Sequence, residues 1–148
     1  MDAVDQKGKL YLGMQHDLKG GDANDTPLMY DVRHLTTHAV ILGMTGSGKT
    51  GLGIIMLEEA LLQGIPVLIL DPKGDIANLM LTFPDLAPSD FEPWVDPEGA
   101  RQRGMTVAEY AGQEAEKWRK GLEGSGITAE RIARLRNAAE FTIFTPGS

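Results

Sequence analysis

The stretch of sequence that decides the fold is Gly43-Met44-Thr45-Gly46-Ser47-Gly48-Lys49-Thr50. It has the spacing of a phosphate-binding loop, in which four residues separate the first glycine from a Gly-Lys-Thr triplet. Glycine allows backbone conformations that are closed to other residues, so successive N–H groups can turn inward around phosphate oxygens. An apolar run, residues 38–42, precedes the loop, and a segment of helical length follows it. The pattern therefore predicts a strand, a phosphate-binding loop and a helix, in that order.

The side chains of this loop have separate predicted roles. Lys49 would reach the β- and γ-phosphates as a mobile cation, and the Thr50 hydroxyl would be a ligand of Mg²⁺. Gly51 leaves space beside the α-phosphate, and the start of the helix adds a partial positive charge. No Asn-Lys-x-Asp element that reads guanine is present, so the expected cofactors are ATP and Mg²⁺. The predicted nucleotide-binding residues are Gly43, Met44, Thr45, Gly46, Ser47, Gly48, Lys49, Thr50 and Gly51.

Catalytic candidates are fewer. Lys49 is one, and Asp71 is the second because it directly follows the apolar run Val67-Leu68-Ile69-Leu70. One interpretation places Asp71, or Asp75 four residues later, at the Mg²⁺ shell or beside a catalytic water. The other interpretation makes Asp71 a structural residue that caps a turn at the carboxyl edge of the sheet. The sequence leaves both interpretations open.

The element pattern indicates an α/β fold of the P-loop NTPase class, a parallel sheet flanked by helices. Strands are predicted at 38–42, 67–70 and 141–144, and a helix at 52–63 that ends at Gly64 and Pro66. Strand, helix and strand within about 30 residues form a βαβ unit with a right-handed crossover. Residues 1–36 are expected to be a polar, loop-rich segment with short strands, one of them at 10–12, and residues 37–148 the nucleotide-binding portion.

Downstream of this unit the pattern is less regular. Four prolines between residues 82 and 99 predict a surface excursion without regular structure. A mainly polar helix is predicted at 105–122, and Thr128 is placed as the N-cap of another. The basic residues of segment 117–136 could meet DNA phosphates, contact a neighbouring subunit, or form a solvated helix face. They are Lys117, Arg119, Lys120, Arg131, Arg134 and Arg136.

Composition restricts the class of protein. The chain has 148 residues, a net charge of −7 and no cysteine. This charge argues against coating nucleic acid by bulk electrostatics. The lack of cysteine excludes disulfides and thiolate metal sites, and it fits a reducing compartment. Neither an apolar stretch of membrane-spanning length nor a secretory signal is visible, so a cytoplasmic protein without membrane contact is expected.

With these residues placed, the chain resembles the HerA/FtsK-type P-loop ATPases, a superfamily of hexameric DNA-pumping motors. The resemblance depends on residues 37–50, Thr-His-Ala-Val-Ile-Leu-Gly-Met-Thr-Gly-Ser-Gly-Lys-Thr, and on residues 67–75, Val-Leu-Ile-Leu-Asp-Pro-Lys-Gly-Asp. Residues 82–86 and 142–148 resemble a bacterial branch of large HerA-like proteins. The strong resemblance covers about residues 33–86 and 139–148. It implies ATP binding, a homo-hexamer, and DNA as the partner of the complete protein, which would be a translocase or helicase.

One departure from the family pattern matters. The Walker B Asp-Glu pair, the polar sensor and the arginine finger of the family are expected downstream of Ser148. We therefore expect the chain to be the N-terminal part of such an ATPase, truncated before Walker B and inactive alone. Two alternatives remain, a nucleotide-binding regulatory module without turnover and a small-molecule kinase of the same broad fold.

Overall fold

A computed structural model describes residues 5–16, 23–145 and 147, with the backbone alone at residues 16 and 23–25. The chain divides into two compact units, one formed by residues 1–81 with 134–148 and the other by residues 82–133. The predicted division at residues 36 and 37 does not correspond to this partition and stays a prediction.

The first unit begins with an antiparallel hairpin. Its strands are β1, Lys9–His16, and β2, Ala23–Asp31, with Lys9 opposite Asp31 and Tyr11 opposite Met29. The short strand predicted at 10–12 lies inside β1. Asp31 ends the hairpin and caps the 3₁₀ helix Val32–Thr36, because its carboxylate accepts a hydrogen bond from the Arg33 backbone N–H at 2.9 Å. The hairpin therefore leads directly into the segment that precedes the phosphate loop.

The loop is followed by helix α1, Lys49–Leu62. Gly64 ends it with a left-handed φ of 73°, as the Gly64 signal predicted, and the Gly64 N–H donates to the Leu61 carbonyl oxygen at 2.9 Å. The core of this unit is formed by Leu61, Leu79 and Leu135, which come from α1, from the 3₁₀ helix Ala77–Met80 and from α5, Ala129–Ala138. One face of α1 is thus buried against apolar side chains that lie far apart in the sequence.

The apolar runs predicted as parallel strands have no strand partner. In residues 38–42 and 67–70, the described backbone makes no backbone–backbone hydrogen bond, and the hydrogen-bonded sheet of the described residues is the hairpin alone. Their side chains nevertheless alternate in exposure with the period of two that extended chain requires. The outward positions are Val40 (77%), Leu42 (86%), Leu68 (89%) and Leu70 (88%), and the partly covered ones are Ile41 (36%) and Ile69 (38%). The structure is therefore α/β with a two-stranded antiparallel sheet, and the parallel sheet stays a prediction.

The second unit is helical. It contains α2, Pro88–Phe91, α3, Pro97–Gln102, and α4, Val107–Gly124. Phe91 packs with Ala111 and Ala115 of α4, so the proline-rich segment supplies part of a core. The prediction of irregular structure at 82–99 was wrong, because prolines at 88 and 97 occupy first helical positions, where the missing N–H costs nothing. The predicted helix at 105–122 is α4, and Thr128 accepts from the Arg131 N–H at the start of α5.

Candidate functional site

The loop between residues 42 and 49 folds back on itself. The Ser47 N–H donates to the Met44 carbonyl oxygen at 3.1 Å, which closes a four-residue turn. Gly46 and Gly48 have φ values of 80° and 86°, where other residues are strained. Gly43 is required for a different reason, since a Cβ built there lies 2.3 Å from the Ser47 Oγ. The glycines therefore serve two needs, backbone conformation and close approach.

The N-terminus of α1 adjoins this turn and carries no side-chain cap. Its N-cap residue is Gly48, and the first turn contains no acidic residue. The first N–H groups of a helix lack intrahelical partners and carry the positive end of the helix dipole. This end of α1 therefore suits an anion, and phosphate is the anion for which the loop pattern is known.

Lys49 lies against the loop rather than in solvent. Its Nζ donates to the Met44 carbonyl oxygen at 2.6 Å, and the side chain is half-buried. Within the described residues no carboxylate forms an ion pair with it. The adjacent Thr50 is exposed, and its hydroxyl makes no hydrogen bond to another described residue. A cation and a hydroxyl are thus both available beside the helix start.

Asp71 occupies a tight turn of its own. Its two carboxylate oxygens accept hydrogen bonds from the backbone N–H groups of Gly74 at 2.8 Å and Ile76 at 2.9 Å. The hydrogen bond from Ile76, and then those from Gly74 and the neighbouring amides, lower the pKa of Asp71 below its usual value of 3.8. Asp75 forms an ion pair with Lys73 in the same turn. This geometry fits the structural interpretation of Asp71, while a role at Mg²⁺ stays a prediction.

Glu59 of α1 and Gln63, the residue that follows the helix, have roles that the sequence did not reveal. Glu59 and Gln63 have the polar pattern of an exposed patch, yet Glu59 is buried and both hydrogen-bond the backbone of the hairpin and the residues before it. The available signal was their spacing of four residues, because such positions share one face of a helix.

The basic residues of segment 117–136 are engaged with partners. Four of them form ion pairs, Lys117 with Glu114, Arg119 and Lys120 with Glu116, and Arg134 with Asp5. Arg131 is buried, and Arg131 and Arg136 also have partners. This pairing favours the solvated-face interpretation over a free cationic surface.

No group of three or more His, Asp or Glu side chains is placed to hold a metal ion in the described part of the chain. None of its helices combines the length and the apolar character needed to cross a bilayer.

Comparison with protein families gives one match. The model of the HerA helicase central domain matches residues 17–94, which is more than half of the 148 residues. The match includes the loop, α1 and the Asp71 turn. Comparisons with curated proteins and with solved structures found no match. On the family match, the chain belongs to the HerA helicase central-domain family.

Proposed function

We propose that residues 43–51 bind the triphosphate of ATP together with Mg²⁺. The observation that carries this proposal is the uncapped start of α1 beside Lys49, whose ammonium group has no carboxylate partner among the described residues. The positive end of the helix dipole, the N–H groups without intrahelical partners and the Lys49 cation then all lie at the N-terminus of α1. Membership of the HerA family supports the same assignment.

The residues divide the binding in the following way. Backbone N–H groups of residues 43–48 bind phosphate oxygens, and Lys49 exchanges the Met44 carbonyl oxygen for a charged phosphate oxygen, which is the stronger acceptor. The Thr50 hydroxyl replaces one water on Mg²⁺. Bound Mg-ATP supplies the phosphoanhydride bond, and the loop positions the negatively charged triphosphate. Two of these donors must give up an acceptor within the loop, because the Ser47 N–H and the Lys49 Nζ both donate to the Met44 carbonyl oxygen.

Isothermal titration calorimetry with Mg-ATP on the 148-residue chain and on Lys49→Ala tests the assignment. Removing a charged partner from a desolvated contact costs about 2–5 kcal/mol, so affinity should fall at least about 30-fold. Lys117→Ala is the matched control, because this lysine belongs to α4 and pairs with Glu114. Equal affinity of wild type and Lys49→Ala would remove the loop from the binding site.

The wider role we propose is that of an ATP-driven motor of the HerA/FtsK type, acting as a homo-hexamer on DNA in the cytoplasm. The family match supports it. Sedimentation velocity with and without Mg-ATP measures subunit number, and fluorescence anisotropy with labelled duplex DNA measures the contact with nucleic acid. A protein that stays monomeric and ignores DNA under both conditions would contradict this wider role and leave nucleotide binding untouched.

A second candidate is a module that binds ATP without turnover, and the Asp71 turn favours it. Hydrolysis needs a carboxylate that orients the attacking water. Both oxygens of Asp71 are engaged by amides of its own turn. A phosphate-release assay on the 148-residue chain should therefore show turnover far below about 10 per second, the median for enzymes. Turnover near that value, abolished by Lys49→Ala, would make this chain an ATPase and Asp71 its first catalytic candidate.

A further inference from the structure

The C-terminal half of α1 is attached to the hairpin by two side chains. The Tyr11 N–H donates to Glu59 Oε2 at 2.8 Å, and the Gly8 N–H donates to Gln63 Oε1 at 2.9 Å. The Gln63 Nε2 donates in turn to the Lys9 carbonyl oxygen at 3.2 Å. The Tyr11 and Gly8 N–H groups and the Lys9 carbonyl oxygen thus have partners from Glu59 and Gln63. These side chains occupy the edge of β1 at which a third strand would otherwise pair.

This contact is buried and specific. Glu59 is 5% exposed and Tyr11 4% exposed. A carboxylate in such a place is costly unless its oxygens are hydrogen-bonded. Because Gln63 lies one helical turn after Glu59, both side chains point to the same edge of β1. The arrangement holds α1 at a fixed place on the hairpin.

The hairpin also leads to the other side of the loop. β2 pairs with β1 and ends at Asp31, which accepts hydrogen bonds from Lys9 of β1 at 3.3 Å and from the Arg33 N–H. Residues 37–42 follow, and Ile41 lies against α1, with its Cδ1 4.0 Å from a Cβ built on Gly53. Residues 37–42 and α1 are therefore connected twice, once directly through the loop and once through the hairpin.

We propose that Glu59 and Gln63 are positioning residues for the phosphate loop, an inference that rests on the proposed nucleotide binding. They hold the C-terminal half of α1 on β1, so the two elements that flank the loop keep one relative placement before nucleotide arrives. Because the loop is already held in place, less conformational entropy is lost when nucleotide binds, and the affinity is higher. An α-helix of 14 residues, about 21 Å long, transmits this placement from its last turns to its first. Coupling of this kind is reciprocal, so nucleotide also strengthens the hairpin contact.

The test combines affinity with amide exchange on the full 148-residue chain. Glu59→Ala removes the Glu59 acceptor of the Tyr11 N–H and should weaken Mg-ATP binding about five- to tenfold, the scale of one net intramolecular hydrogen bond. Glu59→Gln keeps an acceptor oxygen and should restore most of the affinity. Gln63→Ala serves as a milder variant should the buried Glu59→Ala fail to fold. In wild type, Mg-ATP should slow hydrogen exchange at the Tyr11 and Gly8 amides, and Lys49→Ala should abolish this slowing.

Leu79→Ala is the control for loss of stability, since Leu79 packs in the core of the same unit and makes none of these hydrogen bonds. At a temperature where every variant is folded, it should lower Tm and leave ATP affinity unchanged. The inference is overturned if Glu59→Ala and Gln63→Ala bind Mg-ATP like wild type, if Leu79→Ala weakens binding equally, or if nucleotide leaves the Tyr11 amide unaffected. If wild type fails to bind, or Lys49→Ala binds equally well, the proposed function itself is wrong and the inference is withdrawn with it.

Discussion

The close approach of Gly43 to Ser47 makes a quantitative prediction for Gly43→Ala. The new Cβ would lie 2.3 Å from the Ser47 Oγ and 3.3 Å from both the Ser47 Cβ and the Lys49 Cγ. The loop must therefore open, or Ser47 must leave its rotamer and push on the backbone. Overpacking of this kind costs about 1–3 kcal/mol, so Mg-ATP affinity should fall by about 5- to 150-fold.

Calorimetric titration of four variants isolates the cause. Ser47→Ala alone should bind like wild type, because the proposed contact uses the Ser47 backbone. The double variant Gly43→Ala with Ser47→Ala removes the closest contact and should recover most of the lost Mg-ATP affinity. A small loss should remain because the two 3.3 Å contacts are still present. Gly53→Ala is the control, since its Cβ meets only the Ile41 Cδ1 at 4.0 Å. It should raise the free energy of unfolding by about 0.5–1 kcal/mol and leave affinity unchanged. Full affinity in Gly43→Ala, with Ser47 present, would refute this loop geometry.

Three further predictions concern other parts of the first unit. Thr50→Ser should keep the gain in ATP affinity that Mg²⁺ provides, and Thr50→Val should lose it; equal behaviour in a Mg²⁺ titration would exclude Thr50 as a metal ligand. The pKa of Asp71 is lower in the folded state than its usual value of 3.8, so the ionised carboxylate stabilises the fold at pH values above 3.8. This contribution disappears as the pH falls through the lowered pKa of the folded state. The difference in Tm between wild type and Asp71→Asn should therefore shrink as the solution is acidified below that usual value, and a constant difference would contradict the role of the carboxylate. Leu68→Gln should reduce binding of the dye ANS without lowering Tm, whereas Ile41→Gln should lower stability by about 1–2 kcal/mol because Ile41 lies against α1. Equal destabilisation by both changes would show that residues 67–70 are covered by other parts of the protein.

The apolar runs at 38–42 and 67–70 show why a strand prediction is incomplete. The alternating exposure of residues 40–42 and 68–70 fits extended chain, which is a local preference of β-branched and leucine side chains. Pairing is not local, because each strand needs a neighbour to satisfy its N–H and C=O groups. In the described residues these two runs do not form a hydrogen-bonded strand pair with each other. The family assignment came from the match over residues 17–94, and the parallel sheet stays a prediction.

The sequence by itself predicted the glycine-rich loop, the end of α1 at Gly64 and the HerA family, because glycine conformation, helix termination and motif spacing are properties of neighbouring residues. It placed the start of the helix at residue 52, three residues after the observed start at Lys49. Tertiary structure alone decided two other features. Phe91 became a core residue because α4 lies against it, although prolines surround it in the sequence. Glu59, which has the pattern of a surface residue, is buried because the β1 edge, 48 residues earlier, presents the Tyr11 N–H to it. Which carboxylate meets which backbone group depends on how distant segments pack, and the pattern of neighbouring residues carries no record of that contact.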